Sequence, residues 1–148
     1  ELKTDSPVYD YVILDCPPAL GLLTVNALVA ADTILVPVQC EFYAMEGLGR
    51  LMKTVEMVRK SLNPALAFEG VLLTMYDSRN NLNKQVAEEI RRHFTGMAFK
   101  TVIPRNITLA EAPSHGTPVL AYDVASTGAQ AYLRLAKEII RHAKESAR

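Results

Sequence analysis

Short apolar runs rich in β-branched residues alternate along this chain with longer segments that have the pattern of helices. The runs lie at 11–14, 33–38, 66–75 and 98–103, and the helical segments at 20–31, 44–62, 83–94 and 130–144. The run at 119–122 favours a weak edge strand, and 109–112 favours one helical turn. Because successive strands joined by helices lie parallel with right-handed crossovers, this order predicts a three-layer α/β sandwich with a mostly parallel sheet.

Size and composition predict a single globular domain across residues 1–148, to which the alternation of strands and helices gives the α/β class. With 49% hydrophobic and 22% charged residues, the chain can bury a sizeable core. Its apolar runs are far shorter than the roughly 20 residues of a membrane span, and its first residues lack the features of a signal peptide. We therefore expect a cytoplasmic protein without a membrane partner. The formal net charge of zero excludes a surface built wholly for nucleic acid but leaves room for a local basic patch.

The run at 11–14 ends on Asp15, which is followed by Cys16, Pro17 and Pro18. We predict a strand buried on both faces of the sheet, with two prolines stiffening the turn after the carboxylate. Ligands of open α/β sheets bind beyond the carboxyl ends of the strands, and an acid desolvated there needs a metal ion or a lysine beside it. This pattern is typical of the Walker B strand of nucleotide hydrolases. A turn-forming or helix-capping Asp is the alternative.

The predicted strand at 11–14 lies very near residue 1 of the sequence. A doubly wound domain normally places a strand and a helix before it, so we expect an amino-terminal strand and helix to precede residue 1 in a longer protein. A sheet that lacks a central strand has unpaired edges. A non-enzymatic module that binds a partner through such an edge is therefore an alternative function.

Cysteine and histidine indicate no metal centre. Cys16 and Cys40 have neither metal-site nor disulfide spacing, and we predict packed thiols. His93, His115 and His142 likewise show no metal spacing and no pairing with an acid and a nucleophile, so we expect structural or surface roles for them.

Five stretches, in order along the chain, carry a family resemblance. They are 9–18 (YDYVILDCPP), 36–47 (VPVQCEFYAMEG), 74–77 (TMYD), 102–106 (VIPRN) and 110–116 (AEAPSHG). Together they resemble the ParA/Soj family of chromosome and plasmid partitioning ATPases. The resemblance implies a P-loop NTPase-like, deviant Walker fold that binds ATP and Mg²⁺ and forms a homodimer. It also implies non-specific DNA binding, a ParB-like partner protein and association with the nucleoid.

One family motif is missing. No Gly-x-x-x-x-Gly-Lys sequence occurs in the 148 residues, and the resemblance implies that the phosphate loop and the switch strand after it lie upstream of residue 1. Backbone amides and a lysine are needed to offset the charge of the phosphates. We therefore expect ATP hydrolysis by the complete protein and not by this chain alone.

The resemblance also assigns roles in the nucleotide site. Asp15 matches the Walker B carboxylate, which orients Mg²⁺ through water, and Cys16, Pro17 and Pro18 match the switch that senses the γ-phosphate. Residues in two later loops match those that close around the adenine, and they are Met75, Asp77, Pro104 and Asn106. An Asn side chain can pair with a purine edge, and Met and Pro offer apolar faces. The alternative for Met75 and Pro104 is an ordinary structural role in the core or in a turn.

Two further surfaces follow from the resemblance. Phe42, Tyr43 and Met45 match a segment at the subunit contact, although packing inside the monomer would also explain them. Arg79 lies where the family often has a basic residue that contacts DNA, and Lys84 and Arg105 could extend that surface. Such phosphate contacts give salt-sensitive binding that does not depend on DNA sequence. Thr108 stands where many relatives have Arg, which predicts a weaker basic patch.

A MinD-like ATPase that positions cell division is a further alternative. It would need a basic amphipathic tail on a membrane, and the segment 133–148 carries five Lys and Arg residues. However, Glu138 and Glu145 interrupt this charge, and no Phe or Trp anchors the apolar face. The pattern favours a core helix instead.

Overall fold

The computed structural model describes residues 9–17 and 21–146. Its elements are α1 (Leu22–Ala30), β1 (Thr33–Gln39), α2 (Ala44–Ser61), β2 (Ala67–Tyr76), α3 (Asn81–His93), β3 (Ala98–Pro104), α4 (Ile107–Glu111), a 3₁₀ turn (Ala112–His115), α5 (Val119–Tyr122) and α6 (Thr127–Ser146). The strands form a parallel sheet in the order β1-β2-β3. Because α2 and α3 pack on one face and α6 on the other, the predicted three-layer α/β sandwich is confirmed.

Strand β2 contributes to the core on both faces of the sheet. Val71 and Leu73 are fully buried with Leu48 of α2 and Ile90 of α3. Leu72, which lies between them in sequence, packs instead into the cluster formed with α6. This two-residue alternation is the burial pattern of a strand with helices on both sides.

Helix α6 closes the second face of the sheet. Its Ala131 and Leu135 are buried against Leu72, Phe99 and Ile103 of β2 and β3. This packing confirms the core helix that the sequence favoured over a membrane-bound tail. In the described part of the chain, no helix combines the length and the apolar character that a membrane crossing requires.

Helix α1 is less buried than its apolar sequence predicts. Leu28 packs with Val55 and Val58 of α2, but Leu22 and Leu23 are 83% and 72% exposed. The short buried helix that this all-round apolar sequence indicates is therefore only partly buried in the described structure. Among the described elements α1 packs mainly against α2, so only one side of it is covered.

The segment 11–14 also differs from its prediction. It pairs with none of the three described strands, and its side chains are exposed, with Ile13 at 91%. The prediction of a doubly buried strand is thus wrong for the described residues. A strand needs a neighbour for its backbone hydrogen bonds and helices for its two faces, and residues 9–17 and 21–146 supply neither for this run.

The predicted edge strand at 119–122 is the one-turn helix α5. The backbone N–H groups of Ala121 and Tyr122 donate to the carbonyl of Pro118 at 2.9 and 3.0 Å. A proline is readily accommodated at the start of a helical turn, and these local hydrogen bonds leave the segment no need of a sheet neighbour. The apolar run alone could not distinguish the two outcomes.

Gly70 allows close packing between neighbouring strands. Its φ is +153°, and a Cβ placed there would lie 2.6 Å from the carbonyl oxygen of Met97. The register of β1 and β2 shifts near this point, between Ile34 and Leu35. The irregularity of β2 at its entry therefore requires glycine.

Candidate functional site

The carboxyl ends of β2 and β3 lie side by side. Tyr76 pairs with Pro104, and the backbone N–H of Arg105 donates to the carbonyl oxygen of Tyr76 at 2.9 Å. The segments 75–77 and 104–106, which the resemblance assigns to the adenine, therefore meet at one edge of the sheet. This edge is where open α/β sheets bind their ligands.

Asp77 is held by Arg79 at this edge. The guanidinium of Arg79 donates to both carboxylate oxygens, at 3.0 Å from Nε and 2.8 Å from Nη2, and its backbone N–H donates to Oδ1 at 2.9 Å. The side-chain hydrogen bond from Arg79, followed by the backbone one, lowers the pKa of Asp77 to about 2. The structure thus joins a predicted nucleotide residue and a predicted DNA contact in one ion pair.

Asn83 ties together the ends of β1 and β2, a role that the sequence analysis missed. Its buried side chain donates from Nδ2 to the carbonyl of Cys40 at 2.6 Å and accepts from the backbone N–H of Asp77 at 2.8 Å. The available signal was the run of asparagines that opens α3. Asn80 caps this helix by accepting from the N–H of Leu82 at 2.9 Å, which sets its start at Asn81 rather than at the predicted residue 83.

Asn106 has structural partners of its own. It is the N-cap of α4, where its Oδ1 accepts from the N–H of Leu109 at 3.2 Å, and its Nδ2 donates to Oγ1 of Thr127 at 3.1 Å. A Cβ on Gly128 would lie 2.9 Å from the Asn106 oxygen, so glycine permits this approach of α6. One amide hydrogen and one oxygen lone pair of Asn106 are left for another partner.

Met75 has a strained backbone at the same edge. Its φ is +52°, which is uncommon for a residue with a side chain, and its side chain is 42% exposed. The β2–β3 register shifts between Leu73 and Tyr76, so Met75 lies in a bulge. Such strain is often found where a loop is shaped for a ligand. Pro104 is half-buried beside it.

Asp15 is exposed and takes no part in these contacts. Within residues 9–17 and 21–146, no hydrogen bond or ion pair joins its carboxylate to another side chain. Cys16 is also exposed, with its Sγ 3.7 Å from the carbonyl of Leu14, so the prediction of a packed thiol is wrong for Cys16, whereas Cys40 is buried. Pro17 is exposed, and Pro18 lies outside the described residues.

The residues of this chain supply only some of the groups that bind a nucleotide and Mg²⁺. Mg²⁺ is commonly held through one or two carboxylates, water and substrate phosphates, and an exposed Asp15 meets that need. Over the described residues there is no cluster of three or more potential metal ligands. The phosphate-binding glycines and lysine are missing from the sequence itself.

The residues predicted at the subunit contact divide into two groups. Phe42 and Tyr43 are each 73% exposed and pack edge to face, with ring centroids 5.1 Å apart. Met45 is half-buried against the core of β1, β2 and their helices. Only the two aromatic rings are therefore free for another subunit. The proposed DNA contacts Lys84 and Arg105 are exposed.

Known proteins share most of this sequence. A profile described as an AAA domain matches residues 1–68. The sporulation initiation inhibitor protein Soj of Bacillus subtilis is 60% identical over 131 residues, which are 88% of this chain and 52% of that protein. The chromosome partitioning protein ParA of Caulobacter vibrioides is 56% identical over 97% of this chain and 54% of its own length. The chain belongs to the ParA/Soj family. It spans about half the length of these ParA/Soj relatives.

Solved structures support the fold of this ParA/Soj chain. Cobyrinic acid a,c-diamide synthase from Mycobacterium smegmatis is 34% identical, with a TM-score of 0.70 over 89% of this chain and 47% of the synthase. The cell division ATPase MinD of Pyrococcus furiosus has a TM-score of 0.72 over 90% of this chain and 52% of its own, at 24% identity. The second likeness concerns the fold alone.

Proposed function

We propose that this chain is part of a ParA-like partitioning ATPase, a nucleotide-switched dimer that binds DNA without sequence preference. The complete protein binds ATP and Mg²⁺ and responds to a ParB-like partner at the nucleoid. The chain alone does not hydrolyse ATP, because it lacks the glycines and lysine that bind the phosphates.

The observation that carries this proposal is the meeting of segments 75–77 and 104–106 at the carboxyl edge of a parallel sheet. In this role the strained Met75 and the half-buried Pro104 lie on either side of the adenine. Asn106 offers its remaining donor and acceptor to the purine edge. The similar synthase from Mycobacterium smegmatis has been solved with ADP and magnesium and with an ATP analogue and magnesium.

Three further roles complete the proposal. Asp15 orients the water shell of Mg²⁺, and Cys16, Pro17 and Pro18 form the switch beside it. Phe42 and Tyr43 contact the second subunit through their exposed rings. Arg79, Lys84 and Arg105 contact DNA phosphates, with the charge of Arg79 partly offset by Asp77. Bound Mg²⁺ would neutralise charge on the phosphates, whereas this chain positions the adenine and the metal's water shell.

The Walker B assignment is tested by Asp15→Ala in the complete protein. We expect ATP turnover to fall by at least about two orders of magnitude, because an electrostatic contact of the transition state is lost. The exposed Asp15 packs against little, so the fold should be unchanged by circular dichroism.

Asp10→Ala is the matched control, since Asp10 is also an exposed carboxylate in the described segment 9–17. It should leave the turnover rate at the wild-type value. Near-normal turnover in Asp15→Ala would remove Asp15 from the role given to it.

A further inference from the structure

A basic groove lies between β3 and α6, on the side of the sheet away from β1. Its volume is about 260 Å³, and it is lined by Lys100, Thr101, Arg134, Lys137, Glu138 and Arg141. The three cationic residues of α6 are three and four positions apart, which places them on one face of the helix. Four cations and one carboxylate therefore surround this space.

The floor of the groove is held in place by Glu138. This buried carboxylate accepts from the backbone N–H groups of Lys100 and Thr101, at 2.7 and 2.9 Å. The register of β3 against β2 shifts here, so these amides belong to a bulge. Because each of its two oxygens accepts one of these N–H groups, Glu138 fixes the backbone that carries Lys100.

The positive charge of the groove is largely uncompensated. Among the described residues, Lys100, Arg134 and Lys137 form no ion pair, and Arg141 has only a loose contact of 4.0 Å with Glu145. A second groove, lined by Glu56, Arg59, Lys60 and Pro64, is larger at about 370 Å³ but has only two cations beside one carboxylate. The groove beside β3 therefore carries more positive charge than this second groove.

We propose that the groove beside β3 and α6 binds a small phosphate-bearing anion. Multivalent anions relieve the repulsion between clustered cations, and Lys and Arg side chains form strong charge-assisted hydrogen bonds with phosphate oxygens. The lining has no aromatic ring on which a base could stack, so recognition rests on the phosphate groups. The site is separate from the edge where segments 75–77 and 104–106 meet, and it does not depend on the proposed ATPase function.

Inorganic pyrophosphate is the probe for this site. Its affinity for the complete protein is measured by isothermal titration calorimetry at low ionic strength, where screening is weak. Lys100→Gln and Lys137→Gln should each weaken binding about tenfold, as expected for the loss of one charge-assisted bond. Both side chains are exposed, and circular dichroism with a melting curve confirms that each variant is folded.

Lys60→Gln makes the same change in the second groove and should leave the affinity unchanged. Equal affinities in the wild type and all three variants would overturn the proposal, because the pyrophosphate would then bind elsewhere, for example in the nucleotide site. Absence of measurable binding to the wild type would also overturn it. A third contrary result is that the Lys100 and Lys137 variants lose duplex DNA binding but keep their affinity for pyrophosphate, which would assign the groove to nucleic acid.

Discussion

At the scale of single residues, Asp77 and Arg79 act as one unit. Their two side-chain hydrogen bonds hold the pKa of Asp77 at about 2. Because this pKa lies below the ordinary value of 3.8, the pair stabilises the folded state fully above that pH and loses its contribution as the pH falls towards 2. Near neutral pH, Arg79 therefore presents a charge that a neighbouring carboxylate partly offsets, while 89% of its side chain stays exposed.

The DNA contact of Arg79 is testable in the complete protein. Arg79→Ala should weaken retention on duplex DNA of arbitrary sequence and lower the slope of log Kd against log salt by about one. Fluorescence anisotropy over a range of salt concentrations measures both effects. Arg50→Ala is the control, because Arg50 is also an exposed arginine paired with a nearby carboxylate, Glu46. An unchanged slope in the Arg79 variant would refute the contact.

Sequence reasoning located polar residues at strand ends but not their partners. Asp77 and Asn106 were predicted from the resemblance, yet their bonds to Arg79 and Thr127 emerged only with the structure. The run of asparagines that opens α3 could not reveal the role of Asn83, because its two partners lie on different strand ends and one of them is 43 residues away in sequence. A side-chain amide has several possible hydrogen-bond partners, and only the packed chain selects among them.

At the scale of secondary-structure elements, hydrophobic periodicity predicted the type and approximate bounds of a helix or strand wherever that element has neighbours on its apolar side. The run at 66–75 became β2 at Ala67–Tyr76, and the segment 44–62 became α2 at Ala44–Ser61. The run at 11–14 has the same composition as a buried strand but pairs with no described strand. An apolar pattern indicates which surface of a segment can be buried. It does not indicate whether another strand or helix is present to pack against that surface.

Strand β3 depends on α6 for more than apolar packing. Burial acts to raise the pKa of Glu138, but hydrogen bonds from Thr101 and the amides of Lys100 and Thr101 outweigh it, so the pKa is lowered from 4.5. The ionised carboxylate therefore stabilises the β3–α6 contact above that pH, and this contribution is lost as the pH falls below it. The bulge of β3 would otherwise leave two amides without acceptors.

Glu138→Gln should accordingly destabilise the complete protein by about 1–3 kcal/mol at pH 7, because an amide NH₂ replaces an oxygen that accepts an N–H. The difference from the wild type should shrink as the pH is lowered below 4.5, where the wild-type carboxylate becomes protonated. Urea unfolding at several pH values measures both. Glu145→Gln, on the same face of α6 and exposed, should change stability by less than about 0.5 kcal/mol. A similar loss in both variants would contradict the role of Glu138.

At the scale of the whole molecule, the two edges of the described sheet differ. The edge of β3 is interrupted by a bulge and bound by Glu138. The outer edge of β1 has no neighbour among the described strands. The backbone N–H of Cys40 donates to the carbonyl oxygen of Thr74 in β2. Because backbone N–H groups alternate sides along a strand, position 37 faces the open side, and its proline has no N–H to donate there. The edge is therefore blunted but still able to pair.

This open edge predicts that the 148-residue chain self-associates when it is separated from the rest of a full-length ParA/Soj protein. Sedimentation velocity should show species that grow with concentration for the chain and a single species for the nucleotide-free complete protein. Gln39→Lys puts a charge on the exposed end of β1 and should reduce association, because charged side chains on an edge oppose strand pairing. Gln85→Lys, an equal change on the exposed side of α3, should have no such effect. If both variants associate as the parent chain does, the contact lies outside the edge of β1, and the proposed pairing through this edge is wrong.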